Sequence, residues 1–252
     1  AADYQDLDYA RRYLALLAPL GDIERSRNAG FRLLAATARQ LALAMTYEDV
    51  VRVAELKIRP ARLARVREEV KLADGQLLEV AEYLHPRLQE IADTLPASLG
   101  AWLLRAGWAR RLVERLTESG RVVRTTSLRG FLMLYAAAAL KPLRPRSLRF
   151  AAEQEDIAAW LDLVRRTAEK DYELAIEAAE ARGLIKGYGD THERGRTKFT
   201  RIARLVPELC GRPDGALILR QLRTAALADE GGLALDEACR KMELMPERHA
   251  AQ

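Results

Sequence analysis

Residues 186–199 read KGYGDTHERGRTKF, and they bring a cation, an aromatic ring, carboxylates and an imidazole into one short stretch. A plain corner does not need such a mixture. Gly187, Tyr188 and Gly189 cannot extend a helix cheaply, so the backbone must turn there. Gly183 can end the preceding helix in a left-handed conformation. Asp190 or Thr191 can then cap a new helix, with Glu193 in its first turn. The backbone donors of such a cap attract an anion, and Lys186 and Arg194 would stand beside it. A second reading is a corner between helices, with Tyr188 packed inward and the charges of Asp190, His192 and Arg194 hydrogen-bonded locally. The residue types leave both readings open.

A second concentration of charge lies at 121–149. Arg121, Arg124, Arg129, Lys141, Arg144, Arg146 and Arg149 flank the apolar run at 131–140. A helix of that length spans only about 15 Å, so its ends stay close. The cations either form an anion-attracting patch or pair with acids on neighbouring helices. Arg124, Arg144 and Arg146 therefore join Lys186, Tyr188, Asp190, His192 and Arg194 as candidate ligand- or partner-binding residues.

Other chemistry is missing from the sequence. There is no phosphate-binding glycine loop, no dinucleotide fingerprint and no nucleophile elbow. The histidines are His85, His192 and His249, and His192-Glu193 continues as Arg-Gly-Arg, without a second zinc ligand. No catalytic residue and no metal ligand is assigned. Cys210 and Cys239 form no Cys-x-x-Cys pair, which excludes a zinc ribbon or a complete cysteine-ligated iron–sulfur cluster within this chain. They read as buried thiols. Trp102, Trp108 and Trp160 sit at helical apolar positions and read as core. Against 41 basic and 36 acidic residues, a net charge of +5 permits an anionic partner without arguing for one. Nucleic acid is not the expected partner.

These residues need elements to position them. Ala, Leu, Arg and Glu dominate, which predicts an all-α protein, a compact multi-helix domain of about ten helices. The apolar spacing predicts helices over 7–17, ended by Pro19 and Gly21, and over 23–45, with Gly30 as the weak point. Thr46 reads as the cap of a helix with Glu48 and Asp49 in its first turn; that helix stops before Pro60, and Pro60 opens the next. A helix over 77–95 breaks at His85-Pro86, and another runs from a Ser98 cap to Leu116. Residues 121–130 form a connector with some strand character, and 131–140 should be the most buried helix. The stretch 141–150 reads as a loop and as the best subdomain boundary in what is otherwise one domain over 1–252. Helices follow over 153–182 and near 196–208, 213–228 and 234–245, before a fraying tail. The longest apolar stretch is about half of the ~20 residues that a membrane helix needs. No signal peptide opens the chain, so a cytoplasmic protein without membrane contact is expected. The start at Ala1-Ala2, without Met, suggests the C-terminal fragment of a longer polypeptide.

KGYGDTHERG also carries a family resemblance. Together with LALAMTYEDVVRVAELKIR (41–59), VAEYLHPRLQEIADTLPASLGAWLL (80–104) and RGFLMLYAAAAL (129–140), it resembles the C-terminal region of the indolepyruvate oxidoreductase beta-subunit family. The large single-chain indolepyruvate ferredoxin oxidoreductases show a related Gly-aromatic-Gly-His-x-Lys-Glu-Arg pattern. Here it runs from Gly187 through Tyr188, Gly189, Asp190, Thr191, His192 and Glu193 to Arg194, with Asp190 in place of His and His192 in place of Lys. The resemblance spans roughly residues 3–230. It implies an enzyme that converts an arylpyruvate and coenzyme A to an aryl-acetyl-CoA, carbon dioxide and reduced ferredoxin, with thiamine diphosphate carrying the carbanion chemistry. The thiamine diphosphate and iron–sulfur clusters would lie outside this region, which would hold no cofactor itself and be silent alone. Its partners would be the rest of its own chain and the alpha subunit that holds thiamine and clusters, with ferredoxin met indirectly. The alternative is a stand-alone helical anion- or nucleic-acid-binding module, motivated by the basic connector.

Overall fold

The structure is a computed structural model, and it describes residues 1–27, 30–73, 75–84, 87–117, 121–187, 189–242 and 244. The protein is all-α, with helix over most of the described residues and almost no strand among them. Its helices are α1 (Leu7–Arg27), α2 (Arg32–Met45), α3 (Val50–Ile58), α4 (Pro60–Glu69), α5 (Leu88–Thr94), α6 (Ala97–Arg105) and α7 (Gly107–Thr117). They continue as α8 (Leu128–Ala138), α9 (Leu148–Lys170), α10 (Tyr172–Ala181), α11 (Gly189–Leu209), α12 (Gly215–Ala228) and α13 (Leu233–Lys241). Two short strands, β1 (Ala81–Leu84) and β2 (Arg121–Arg124), pair antiparallel with Ala81 opposite Arg124. The chain divides into two compact units, one of residues 1–47 with 155–252 and one of residues 48–154. The stretch 141–150 is not a loop: Lys141–Arg146 forms a 3-10 turn inside the second unit, and the division falls within α9.

In the first unit α10 packs against α2, α11 and α12, while α1 covers α2 and α13 covers α12. Leu33, Leu41, Val164, Leu174, Ile202, Leu209, Leu219 and Leu222 are fully or almost fully buried. Trp160 keeps the core place expected of it, and its indole N–H donates to the Ala178 carbonyl at 3.3 Å. That bond satisfies the one polar atom of an otherwise apolar ring. α1 does not stop at Pro19 and Gly21 but runs through both to Arg27. Burial of Tyr9, Leu17 and Leu20 along its length outweighs the lost proline donor. The expected weak point at Gly30 is a true break, since Gly30 and Phe31 both take positive φ before α2. The run over 153–182 splits at Asp171, whose carboxylate accepts from Leu174 N and caps α10.

In the second unit α3 packs on α8, and α5, α6 and α7 gather around Ala92, Leu103 and Ala109. Pro60 opens α4 as the sequence suggests, but the cap of α3 is Asp49, which accepts from Arg52 N at 2.6 Å, and not Thr46, which ends α2. The strand tendency of the 121–130 connector is realised in β2. Its partner β1 replaces part of the helix expected over 77–95, while His85 and Pro86 lie outside the described residues. The helix expected from Ser98 is two helices, with Pro96 before the first and a break at Ala106.

Two expectations about burial fail in this unit. The run 131–140 is not the most buried helix: Leu134 is covered, but Leu128, Phe131, Leu132 and Tyr135 are exposed, Tyr135 by 58%. Gly130 is pressed against β2, where a Cβ would lie 2.1 Å from the Arg124 carbonyl oxygen, so α8 turns its small side inward. Trp102 and Trp108 are likewise not core; Trp108 is 68% exposed, and the two rings meet edge to face at 5.8 Å. Leu103 and Ala109, their neighbours in sequence, are the residues buried there. Apolarity all round a helix does not say which side its own chain covers.

Candidate functional site

The glycine-rich stretch turns the chain between α10 and α11. A 3-10 turn at Arg182–Leu184 follows α10, then Gly187 (φ 72°) and Gly189 (φ 57°) take left-handed conformations that favour glycine. Gly183 is not the left-handed residue; it lies inside the 3-10 turn, with the Gln40 side chain 3.2 Å from where a Cβ would stand. α11 starts at Gly189, so Asp190 and Thr191 lie in its first turn instead of preceding it. Gly195 passes so near the corner that a Cβ would sit 2.3 Å from the Leu184 carbonyl oxygen. Turn geometry and close approach thus account for the glycines.

The charged residues of the corner are distributed differently. Lys186 and Asp190 are exposed and His192 is half-buried. Arg194 donates to Thr191 Oγ1 at 3.3 Å and to Glu230 Oε2 at 3.2 Å, a local use of its charge. Tyr188 lies outside the described residues.

The other sequence-predicted cations belong to the second unit. Arg124 projects from β2 and comes within 3.8 Å of the Glu79 carboxylate. Arg144 is buried, 2% exposed, and grips Asp49 with Nε at 2.7 Å and Nη2 at 3.1 Å. Lys141 reaches Glu55 at 3.4 Å, and Arg149 reaches Glu153 at 2.7 Å and Asp93 at 3.7 Å. Burial pushes the Glu55 carboxyl up, but hydrogen bonds from Arg59 and Arg52 and the charge of Lys141 outweigh it and leave Glu55 below the usual range. Burial raises Asp93, opposed in part by Gln89 and Arg149. Arg146 is exposed, without an ion-pair partner among the described residues. For Lys141, Arg144 and Arg149 the paired reading holds.

A site that the sequence reading missed lies further along α11. Arg196, Thr200 and Arg204 follow one another at i, i+4 and i+8, so one helix face presents two guanidiniums with a hydroxyl between them. That face borders a cleft of about 410 Å³ against α9 and the corner. Arg182 from the corner adds a third guanidinium; it is buried, with its central carbon 5.5 Å from the Phe199 ring centroid. The cation–π contact is one of the interactions that hold it there. Asp156 of α9 is the cleft's acid and accepts from Arg196 at 3.4 Å. Arg204 is exposed and has no ion-pair partner among the described residues. Leu163, Ile185, Phe199 and Ala203 make the apolar lining. The four-residue spacing was readable in the sequence, but on a helix it looks the same as a solvated face.

Among the described residues no group of three or more His, Cys, Asp or Glu is placed to hold a metal ion. Cys239 is buried, which pushes its thiol up; Cys210 is half-buried, and both are free. No helix among the described residues is long and apolar enough to cross a membrane.

One family model matches residues 1–205, a span that takes in the whole second unit and the cleft through Arg204; it is described as a family of unknown function (DUF6537). No curated protein and no solved structure matches the chain.

Proposed function

The chain belongs to the DUF6537 family, and on that premise we propose that it is a non-catalytic accessory and assembly domain of an arylpyruvate:ferredoxin oxidoreductase of the indolepyruvate type. The complete enzyme would convert an arylpyruvate and coenzyme A to an aryl-acetyl-CoA and carbon dioxide while reducing ferredoxin, in the cytoplasm. Thiamine diphosphate and the iron–sulfur clusters belong in this proposal to the rest of the enzyme. The resemblance of the segments around KGYGDTHERG motivates the choice of enzyme.

One structural observation carries the assembly role. Leu128, Phe131, Leu132 and Tyr135 recur at i, i+3, i+4 and i+7 along α8 and are all exposed. Phe131 and Tyr135 stack with ring centroids 6.4 Å apart, which gives the stripe a fixed aromatic end. Leu99 and Trp102 on α6, and Trp108 and Leu112 on α7, are exposed in the same unit. An apolar stripe at helical spacing is the form in which one helix docks into a groove of another protein. The occupant in this reading is the part of the enzyme that holds thiamine and clusters.

The test compares the complete reconstituted complex with one that lacks residues 1–252. Loss of co-elution in gel filtration, together with loss of arylpyruvate- and coenzyme A-dependent dye reduction, is the expected result. A truncated complex that assembles and turns over at an undiminished rate would overturn the proposal.

A further inference from the structure

The cleft between α9 and α11 has a chemistry of its own that the assembly role does not use. Its rim carries the guanidiniums of Arg196 and Arg204 and the exposed hydroxyl of Thr200, with the buried Arg182 beneath them. Asp156 returns one negative charge, so the cleft keeps an excess of positive charge. Below the rim the lining is apolar, with Phe199 and Leu163 on opposite helices. The volume of about 410 Å³ falls within the roughly 300–1,000 Å³ of small-molecule sites. Planar guanidinium donors match the oxygens of carboxylates and phosphates, and a neighbouring hydroxyl adds a further donor.

We propose that this cleft binds a small amphipathic anion, a carboxylate or phosphate group carried on an apolar body. The oxyanion sits between Arg196, Thr200 and Arg204, and the apolar body lies against Phe199 and Leu163. Arg182 is the fixed member of the set: buried and stacked on Phe199, it contributes charge without having to be ordered by the ligand. Arg196 is the member with a competitor, because its 3.4 Å contact with Asp156 is long for a charge-assisted bond and must be shared when the anion arrives. Arg204 has no competitor among the described residues and supplies the most readily available donors. The inference does not depend on the oxidoreductase assignment, because every residue in it comes from the geometry of one cleft.

Calorimetry on the 252-residue chain tests it with phenylacetate and phenyl phosphate as probes. Inorganic phosphate and benzyl alcohol serve as controls for the head and the body. Saturable binding of at least one aryl anion is expected, and the two probes show which head group is preferred. Arg204→Gln and Arg196→Ala should each weaken binding about tenfold, the loss expected for one hydrogen bond to a charged group. Asp156→Asn should act in the opposite direction and tighten binding, because it releases Arg196. All three side chains are at least partly exposed, so circular dichroism should show the fold intact. The inference fails if neither aryl anion binds, or if the arginine variants bind as the wild type does. It also fails if Asp156→Asn leaves affinity unchanged or weakens it. Inorganic phosphate binding as tightly as phenyl phosphate, or benzyl alcohol as tightly as phenylacetate, would equally overturn it.

Discussion

Asp49 serves two partners in the second unit. Its carboxylate accepts from Arg52 N and so caps α3, and it receives Nε and Nη2 of Arg144 from the 3-10 turn. Arg144 in turn is buried, so removing it leaves a carboxylate in poor solvent contact with half its partners gone. Arg144→Ala should therefore destabilise the chain by about 3 kcal/mol in urea unfolding, the cost of breaking a buried pair from one side. Arg144→Lys should recover little of this, because an ammonium cannot make the two-pronged contact. A wild-type unfolding midpoint for Arg144→Ala would show that the pair contributes nothing. The sequence could place Arg144 in a basic cluster but not tell a solvated cation from a buried one. Its partner is 95 positions away, and only the fold brings the two together.

The position of α11 depends on Gly195. A methyl group there would stand 2.3 Å from the Leu184 carbonyl oxygen, and the neighbouring contact at 3.2 Å is also backbone. Neither can swing aside as a side chain would, so the helix must retreat from the corner. Gly195→Ala should cost about 2 kcal/mol in thermal unfolding, within the usual range for overpacking. It should also spread Arg182 from Arg196, the residues on the two sides of the approach. An unchanged melting temperature would mean that α11 is not held by this contact. At this scale the sequence was informative where caps and breakers act locally. Pro60 and the Gly30 break could be read from residue type alone, whereas the cap of α3 fell on Asp49 and not on Thr46. It was less informative where packing overrides local preference, as in α1 running through Pro19, or where a turn could be placed on any of several glycines. The cleft on α11 was illegible for a related reason. Arg196, Thr200 and Arg204 become a site only when Phe199 and Arg182 lie beside them.

For the whole molecule, the helical class followed from composition, but the fate of its most apolar helix did not. A run such as 131–140 reads as core because apolar surface must be covered by something. In this chain α3 covers only one side of α8, and the stripe from Leu128 to Tyr135 is left exposed. In the proposed complex, a partner component covers it. The most direct measurement is gel filtration of the complete complex carrying Leu132→Asp. Leu132 is 53% exposed in the chain alone, so the charge should leave the isolated fold intact. The variant chain should elute apart from the proposed thiamine- and cluster-holding component, with affinity reduced at least about tenfold by a charge in an apolar contact. Co-elution of Leu132→Asp at wild-type concentration dependence would contradict it.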